Sequence, residues 1–289
     1  MENADNTPFF SIVIVNYNYG RFLEEAILSV LSQSCQDFEL IIADGGSKDN
    51  SVEVMRKYQK RLAWWCSEND RGQSHAFNKG FAQAKGRFLT WLNADDLLLP
   101  GTLSDAKRKL SKNPQAKWMT GNSFRFTPDD KVVECRWGPW CMPSILQGSG
   151  APLAVFGPTS FFGRELYLQV GGMDESLHYV MDTDLWIRFM AAGRRYIRLN
   201  RYCWAFRMHE MSKTAEYGSH LLEQTARDKL QGELKMCVEK NKYHYSTFIH
   251  ALQLVWRTVT LSEIKSKVMA ARWEGRDMSA FIAENCVEN

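Results

Sequence analysis

This sequence has no long apolar run, no paired cysteine motif and almost no net charge, and each absence removes a class of protein. Nowhere in its 289 residues do about 18 uncharged apolar residues follow one another, so a membrane-spanning helix is not expected. The opening MENADNTPFF lacks the basic segment and apolar run of a secretory leader. The cysteines, Cys35, Cys66, Cys135, Cys141, Cys203, Cys237 and Cys286, are odd in number and scattered, with no C-x-x-C spacing for zinc or dithiol chemistry. They read as reduced packing thiols of a cytoplasmic protein. With 36 basic against 33 acidic residues, the formal charge of +3 is too small to imply a nucleic-acid partner. There is no internal repeat and no low-complexity tract.

What is present is alternation. From residue 10 onward, short β-rich runs alternate with segments of helical period, the pattern of a parallel sheet built from βαβ units. FSIVIVNYN predicts a buried strand, RFLEEAILSVLSQ a helix with Phe22, Ala26, Ile27, Val30 and Leu31 on one face, and FELIIADGG a second strand. A helix over about 51–58, the run LAWWCSE, a helix in GQSHAFNKGFAQAKG and a third main strand, RFLTWLN, follow. In such sheets ligands sit beyond the carboxyl ends of the strands. Three of these ends carry unusual residues: Asn16-Tyr17-Asn18, Asp44-Gly45-Gly46 and Asn93-Ala94-Asp95-Asp96. Residues 117–172, rich in Trp, Gly and Pro, predict short antiparallel strands around a long loop. A helix in MDTDLWIRFMAAG stops at Gly193. After residue 212 the composition shifts to helix formers. Leu221, Leu222, Ala226, Leu230, Leu234 and Val238 mark one amphipathic helix; Phe248, Ile249, Leu252, Val255, Trp256 and Val259 mark another. The expected division is therefore residues 1–212 and a helical region, 213–289.

Within FLTWLNADDLLLP, Asp95 and Asp96 stand between a strand-like run and three leucines. Carboxylates in apolar surroundings resist ionisation unless something positive sits beside them, so a cation is implied. The plainer reading is a turn that caps the helix after Pro100.

Taken together, SIVIVNYNYGRFLEEAILSVLSQ, DGGSKDNS, NKGFAQAKGRFLTWLNADD and MDTDLWIR resemble, in order and spacing, the family-2 glycosyltransferases of the GT-A fold, over roughly residues 9–210. NKG and LHYVMDTDLW are most similar to bacterial enzymes that extend cell-surface polysaccharides. The resemblance implies an α/β fold of GT-A type over 1–212, with a Rossmann-like, mainly parallel central sheet flanked by helices. It also implies inverting transfer from a nucleotide-sugar donor, with UDP expected, to a glycan or lipid-linked sugar acceptor, and a divalent ion, Mn2+ or Mg2+.

The same resemblance assigns residues. NADD corresponds to the family's metal-binding element, with Asn93 where an aspartate is common. Hard divalent ions take carboxylate oxygens and keep other positions for phosphate. Asp95 is then expected to touch both metal and ribose, Asp96 to support it, and Asn93 to meet a ribose hydroxyl or a water on the metal. Asp44 matches the first acid of a D-D-G-S-x-D turn that reads the uracil edge or ribose; Gly45 replaces the second acid. Asn16, Tyr17 and Asn18 flank the base, and Arg71 and Gly72 close the other side of the pocket. MDTDLWIR matches E-D-x-x-L-W-x-R, so Met181 replaces the first acid and Asp182 is the general base that takes the acceptor's proton. A plain helix cap is the alternative for Asp182. Asp184 and Arg188 fit a helix ion pair. His209 lies where family members reach the metal or diphosphate, with Arg207 or Lys213 to offset phosphate charge; a surface histidine is the bland alternative.

Trp137 and Trp140, in CRWGPWCMPSILQGSGAP, suit an acceptor wall or lid, against packing as the default. In the C-terminal region Arg257, Lys265, Lys267, Arg272 and Arg276 among apolar positions suit peripheral contact with the inner membrane face, or a homodimer. The plainest reading there is a helical appendage packed on the catalytic domain. Two other classes stay open. A nucleotidyltransferase making nucleotide sugars would carry a Gly-rich phosphate loop where NYNYGRF stands. A non-catalytic carbohydrate-binding or scaffold protein of the same fold is kept in view by the departures at Asn93, Gly45 and Met181.

Overall fold

The computed structural model describes residues 7–138, 157–212, 224–240, 255 and 261–286. The chain begins with strands β1 (Phe10–Asn16), β2 (Phe38–Asp44), β3 (Trp64–Ser67) and β4 (Phe88–Asn93), connected by helices α1 (Gly20–Leu31), α2 (Ser51–Tyr58) and α3 (Gln73–Gln83). β1 pairs in parallel with both β2 and β4, and β2 with β3. Then come β5 (Leu97–Leu98), α4 (Thr102–Ser111), β6 (Trp118–Phe126), β7 (Val132–Arg136), β8 (Ser160–Gly163), α5 (Arg164–Gln169), α6 (Met181–Ala191) and β9 (Ile197–Arg207). Three helices end the described chain: α7 (Gln224–Lys240), α8 (Ser262–Trp273) and α9 (Met278–Asn285). Among the described residues the strands form one mixed sheet in the order β3-β2-β1-β4-β8-β6-β9-β5, with β7 on β6. β8 runs antiparallel to β4 and β6, and β5 antiparallel to β9.

Both faces of the sheet are covered, which is why the centre of β1, Ile12 to Val15, is uniformly apolar rather than alternating. Ile12 and Ile14 pack with Leu23, Ile27 and Leu103 on one side. Val13 and Val15 join Phe77, Phe81 and Trp91 on the other. α3 lies directly on β1 because of Gly80: a Cβ there would sit 2.4 Å from Val13 Cγ1. Trp186 on α6 is sandwiched between Trp91, 5.5 Å away with its ring nearly parallel, and Trp118 at 5.1 Å, which seats α6 on the sheet. α6 ends where expected: Gly193 has φ +71°, and its N–H and that of Arg194 bond to Met190 and Phe189 carbonyls. Arg188 donates to Asp184 at 2.7 Å, the ion pair that the sequence spacing predicts.

A third apolar cluster joins Phe124, Phe126 and Tyr202 of the sheet to Trp273, Phe281 and Cys286. Val132 exchanges backbone bonds with this end of the chain, donating to Arg276 O at 2.9 Å and accepting from Gly275 N at 2.7 Å. Buried Arg201 donates to Asp105 at 2.6 Å and to the Cys286 carbonyl at 2.8 Å. Trp137 belongs to this packing: its N–H bonds Ser266 at 2.8 Å, and Lys265 lies over its ring. The helix expected over 248–259, apart from Val255, lies outside the described residues, as do Trp140, Lys213, Leu221, Leu222 and Arg257.

Candidate active site

Strand register levels the polar strand ends. Asn16 is the pairing partner of Asp44, Val15 of Asn93, and Asp44 of Ser67, so β1, β2 and β4 finish at one edge. A cavity of about 790 Å³ opens there, a size that accommodates a small ligand. Of the residues singled out in the sequence, Asn16, Tyr17, Gly72, Asn93, Asp95 and Asp182 line it. Asn18, Asp44, Arg71, Asp96 and His209 are not among its lining residues.

The two adjacent acids have different surroundings. Asp95 faces the cavity, and its Oδ2 lies 3.0 Å from His209 Nε2. Asp96 lies beneath it, fully buried, with Oδ1 accepting from Arg207 N at 3.0 Å and Oδ2 from Asn93 Nδ2 at 2.8 Å. Burial, and then the neighbouring Asp95 charge, hold the Asp96 carboxyl well above the usual carboxylate range. Its oxygens thus hold the turn together instead of presenting themselves to a ligand. Arg207, expected at a phosphate, is committed to the same scaffold: its Nε bonds the Asp95 carbonyl at 3.0 Å, its guanidinium pairs with Glu25, and it packs over Phe22 and Phe126.

Asp95 and His209 are the groups that could hold a divalent ion. Among the described residues no three His, Cys, Asp or Glu side chains gather into a metal cluster. One carboxylate and one imidazole fit an ion that draws its other ligands from substrate phosphate and water, and the carboxylate suits Mn2+ or Mg2+. Arg21 lies 3.5 Å from His209 Nδ1, and a guanidinium can only donate. In this arrangement Nδ1 accepts and Nε2–H donates to Asp95. Metal on Nε2 therefore requires the other tautomer and a turn of the exposed Arg21 away from the ring.

At the other end of the cavity, Asp44 organises the loop after β2. Its carboxylate accepts from Asn16 Nδ2 at 2.6 Å, Ser47 N at 2.9 Å and Ser67 Oγ at 2.6 Å. Asn18, at φ +58°, accepts from Lys48 N at 2.8 Å and pins the same loop. The carboxylate that does line the cavity here is Asp70, which the sequence reading passed over in favour of Arg71. Arg71 points elsewhere, pairing with Glu175 at 2.5 Å. Asp70 Oδ1 accepts from Gly72 N at 2.8 Å, and a Cβ added to Gly45 would sit 2.6 Å from Asp70 Oδ2. Asp70 thus occupies the space that a side chain at Gly45 would need. The D-x-G turn before α3 was the available signal. Tyr17, 62% exposed, stands beside Gly45.

The far wall comes from α6. Asp182 lies in its first turn, with Val180 as N-cap, so it is not the helix cap. Its Oδ1 accepts from Thr183 N at 2.6 Å. Met181, His178, Tyr179, Trp204 and Phe206 complete this side. Nothing in local sequence pattern marks Tyr179 or Trp204, which arrive by tertiary packing.

Residues 11–132 match the family model described as Glycosyl transferase family 2. An uncharacterized glycosyltransferase of Rickettsia typhi is 28% identical over 201 residues, covering 68% of this chain and 63% of its own length. One from Nostoc sp. is 43% identical over 96 residues, 32% of this chain and 30% of that protein. The chain therefore spans about three fifths of the length of the Rickettsia relative. Among solved structures, TarS 1–349 of S. aureus in complex with UDP-GlcNAc aligns with a TM-score of 0.59 at 18% identity, covering 71% of this chain and 60% of that one. The mannosyltransferase PcManGT of Pyrobaculum calidifontis, in complex with GDP-Man and Mn2+, aligns at 0.54 and 16% identity over 96% of this chain and 85% of that one. At such identities the likeness is one of fold.

Proposed function

We propose that this chain, whose residues 11–132 match the Glycosyl transferase family 2 model and whose fold aligns with solved glycosyltransferases, moves a sugar from a uridine-nucleotide donor to an acceptor hydroxyl, with inversion and with Mn2+ or Mg2+. The observation that carries the reading is the ring of carboxylates, Asp70, Asp95 and Asp182, around one cavity at the carboxyl edge of β1, β2 and β4. Solved neighbours of the same fold hold UDP-GlcNAc and GDP-Man with Mn2+, which supports a nucleotide-sugar donor.

In this reading the exposed face of Tyr17 stacks on the base, and Asp70 accepts from a base N–H or ribose hydroxyl. Asn93 offers its amide to the ribose. Asp95 and His209 would hold the ion, which when bound neutralises charge on the diphosphate leaving group. Asp182, oriented by Thr183 N–H, takes the acceptor hydroxyl's proton as oxygen attacks the anomeric carbon. One base and a direct displacement give inversion. The acceptor in this proposal is a surface glycan or a lipid-linked sugar. Among the described residues no helix is long and apolar enough to cross a membrane.

The test is UDP release from a panel of UDP-sugars with Mn2+ or with chelator, in wild type and Asp182→Asn. Metal-dependent release, reduced about 100-fold or more in the variant with UDP binding retained, is expected. UDP binding with no turnover from any donor, unchanged by Asp182→Asn, would assign a non-catalytic role. Diphosphate release from UTP and a sugar 1-phosphate would assign nucleotidyl transfer.

A further inference from the structure

Three consecutive backbone N–H groups converge on one carboxylate from the C-terminal region. Glu233, half-buried on α7, accepts from His178 N at 2.9 Å through Oε1, and from Tyr179 N at 2.7 Å and Val180 N at 3.2 Å through Oε2. These residues run straight into α6, and His178, Tyr179, Met181 and Asp182 all line the cavity. Val180, the N-cap, has no side-chain acceptor to offer the turn, and the acceptor comes instead from a helix more than fifty residues further on.

Two more contacts from α7 fall on the same stretch. Cys237, one turn beyond Glu233, is buried in the cluster that contains Val180, Met181 and Trp186. Lys240 pairs with Asp174. Positions 233, 237 and 240 recur at helical spacing, so one face of α7 lies along residues 174–184. The bonds at the centre of this face join an ionised acceptor to amide donors, about twice as strong as neutral pairs.

We propose that Glu233 is a positioning residue for sugar transfer: by clamping the amides of 178–180 it fixes the segment that presents Tyr179 to the cavity and Asp182 to the acceptor hydroxyl. The proposal rests on Asp182 being the base, but the clamp is measurable without any turnover. α7 thereby braces the active-site wall from behind, without lining the cavity itself.

The experiment compares full-length wild type, Glu233→Ala and Glu233→Gln in three measurements: hydrogen exchange of the peptide covering 177–183, calorimetric titration with UDP and Mn2+, and UDP release from a UDP-sugar. Thermal unfolding is the folding control. In Glu233→Ala, exchange at 178–180 is expected to rise about tenfold or more, and UDP affinity to change less than about twofold. UDP release should fall about tenfold through kcat. Glu233→Gln, which keeps one acceptor oxygen, should recover part of both protection and turnover. Unchanged exchange in Glu233→Ala overturns the proposal whatever the turnover, and so does faster exchange with undiminished kcat. If wild type turns over no donor while protection still depends on Glu233, the clamp stands and the transferase reading falls.

Discussion

Replacing Asp95 or Asp96 by asparagine, one at a time, separates two neighbours that the sequence presents as equivalent. Asp95 faces the cavity beside His209, whereas both oxygens of Asp96 are taken by Arg207 N and Asn93 Nδ2. Two unit charges 4 Å apart interact by about 4 kcal/mol at the effective dielectric of a protein surface, and ion dehydration offsets part of that for a divalent cation. Asp95→Asn should therefore cost roughly 2–4 kcal/mol of Mn2+-dependent UDP binding, about 30- to 1,000-fold. Asp96→Asn leaves Asp95 in place. An asparagine at 96 can keep its bond to Arg207 N, and Asn93 can turn its amide to accept from the new NH2 group. A residual mismatch of about 1 kcal/mol is offset by loss of a buried, hard-to-ionise carboxyl. The expected outcome is UDP affinity within about threefold of wild type and a Tm within a few degrees. Calorimetric titration of UDP with Mn2+ and with chelator reads both variants. If Asp96→Asn abolishes metal-dependent binding as fully as Asp95→Asn, then Asp96 reaches the ion and its placement beneath the turn is wrong.

Acid should loosen the seat of α7. Burial pushes the Asp174 carboxyl up, but the Lys240 ammonium and the Ser176 hydroxyl and N–H outweigh it and hold it at about 2. A depressed carboxyl contributes stability above its ordinary range and loses it as pH falls through about 2. Because Lys240 is largely exposed, the loss is about 1 kcal/mol, and it should vanish in Asp174→Asn; equal acid unfolding curves for the two proteins would refute it. Gly45→Asp should destabilise by about 2 kcal/mol and weaken UDP binding, because the new side chain collides with Asp70. Adding Asp70→Gly should recover most of both in a double-mutant cycle read by thermal unfolding and UDP titration. A neutral Gly45→Asp would show that Asp70 moves aside freely.

Local period made much of the first half legible. The alternation of strands and helices through RFLTWLN follows from apolar spacing, and α2 and α3 begin and end where Ser51, Gly72 and the 84–86 turn dictate. The pairings of β5, β6, β8 and β9 did not follow, because they join residues up to about a hundred positions apart and rest on packing rather than on any local pattern. At the site the sequence located the strand ends correctly but did not separate residues that face the cavity from those that build it. Asp44 spends acceptors on Ser47 of its own turn, but Asn18 spends its oxygen on Lys48 N of the loop after β2 and Asp96 on Arg207 N of β9, a division visible only once those distant donors have positions. Asp70 was hidden by a more conspicuous arginine beside it. Glu233 had no local signal, since its partners are amides rather than side chains.

The third apolar cluster bears on how this chain is made. Phe124 and Phe126 leave the ribosome some 150 residues before Trp273 and Phe281, the side chains that cover them. At usual synthesis rates that interval is on the order of ten seconds. For that time the face of β6 and β7 that the last two helices cover carries bare aromatic rings, so this part of the core closes only after translation has passed Cys286.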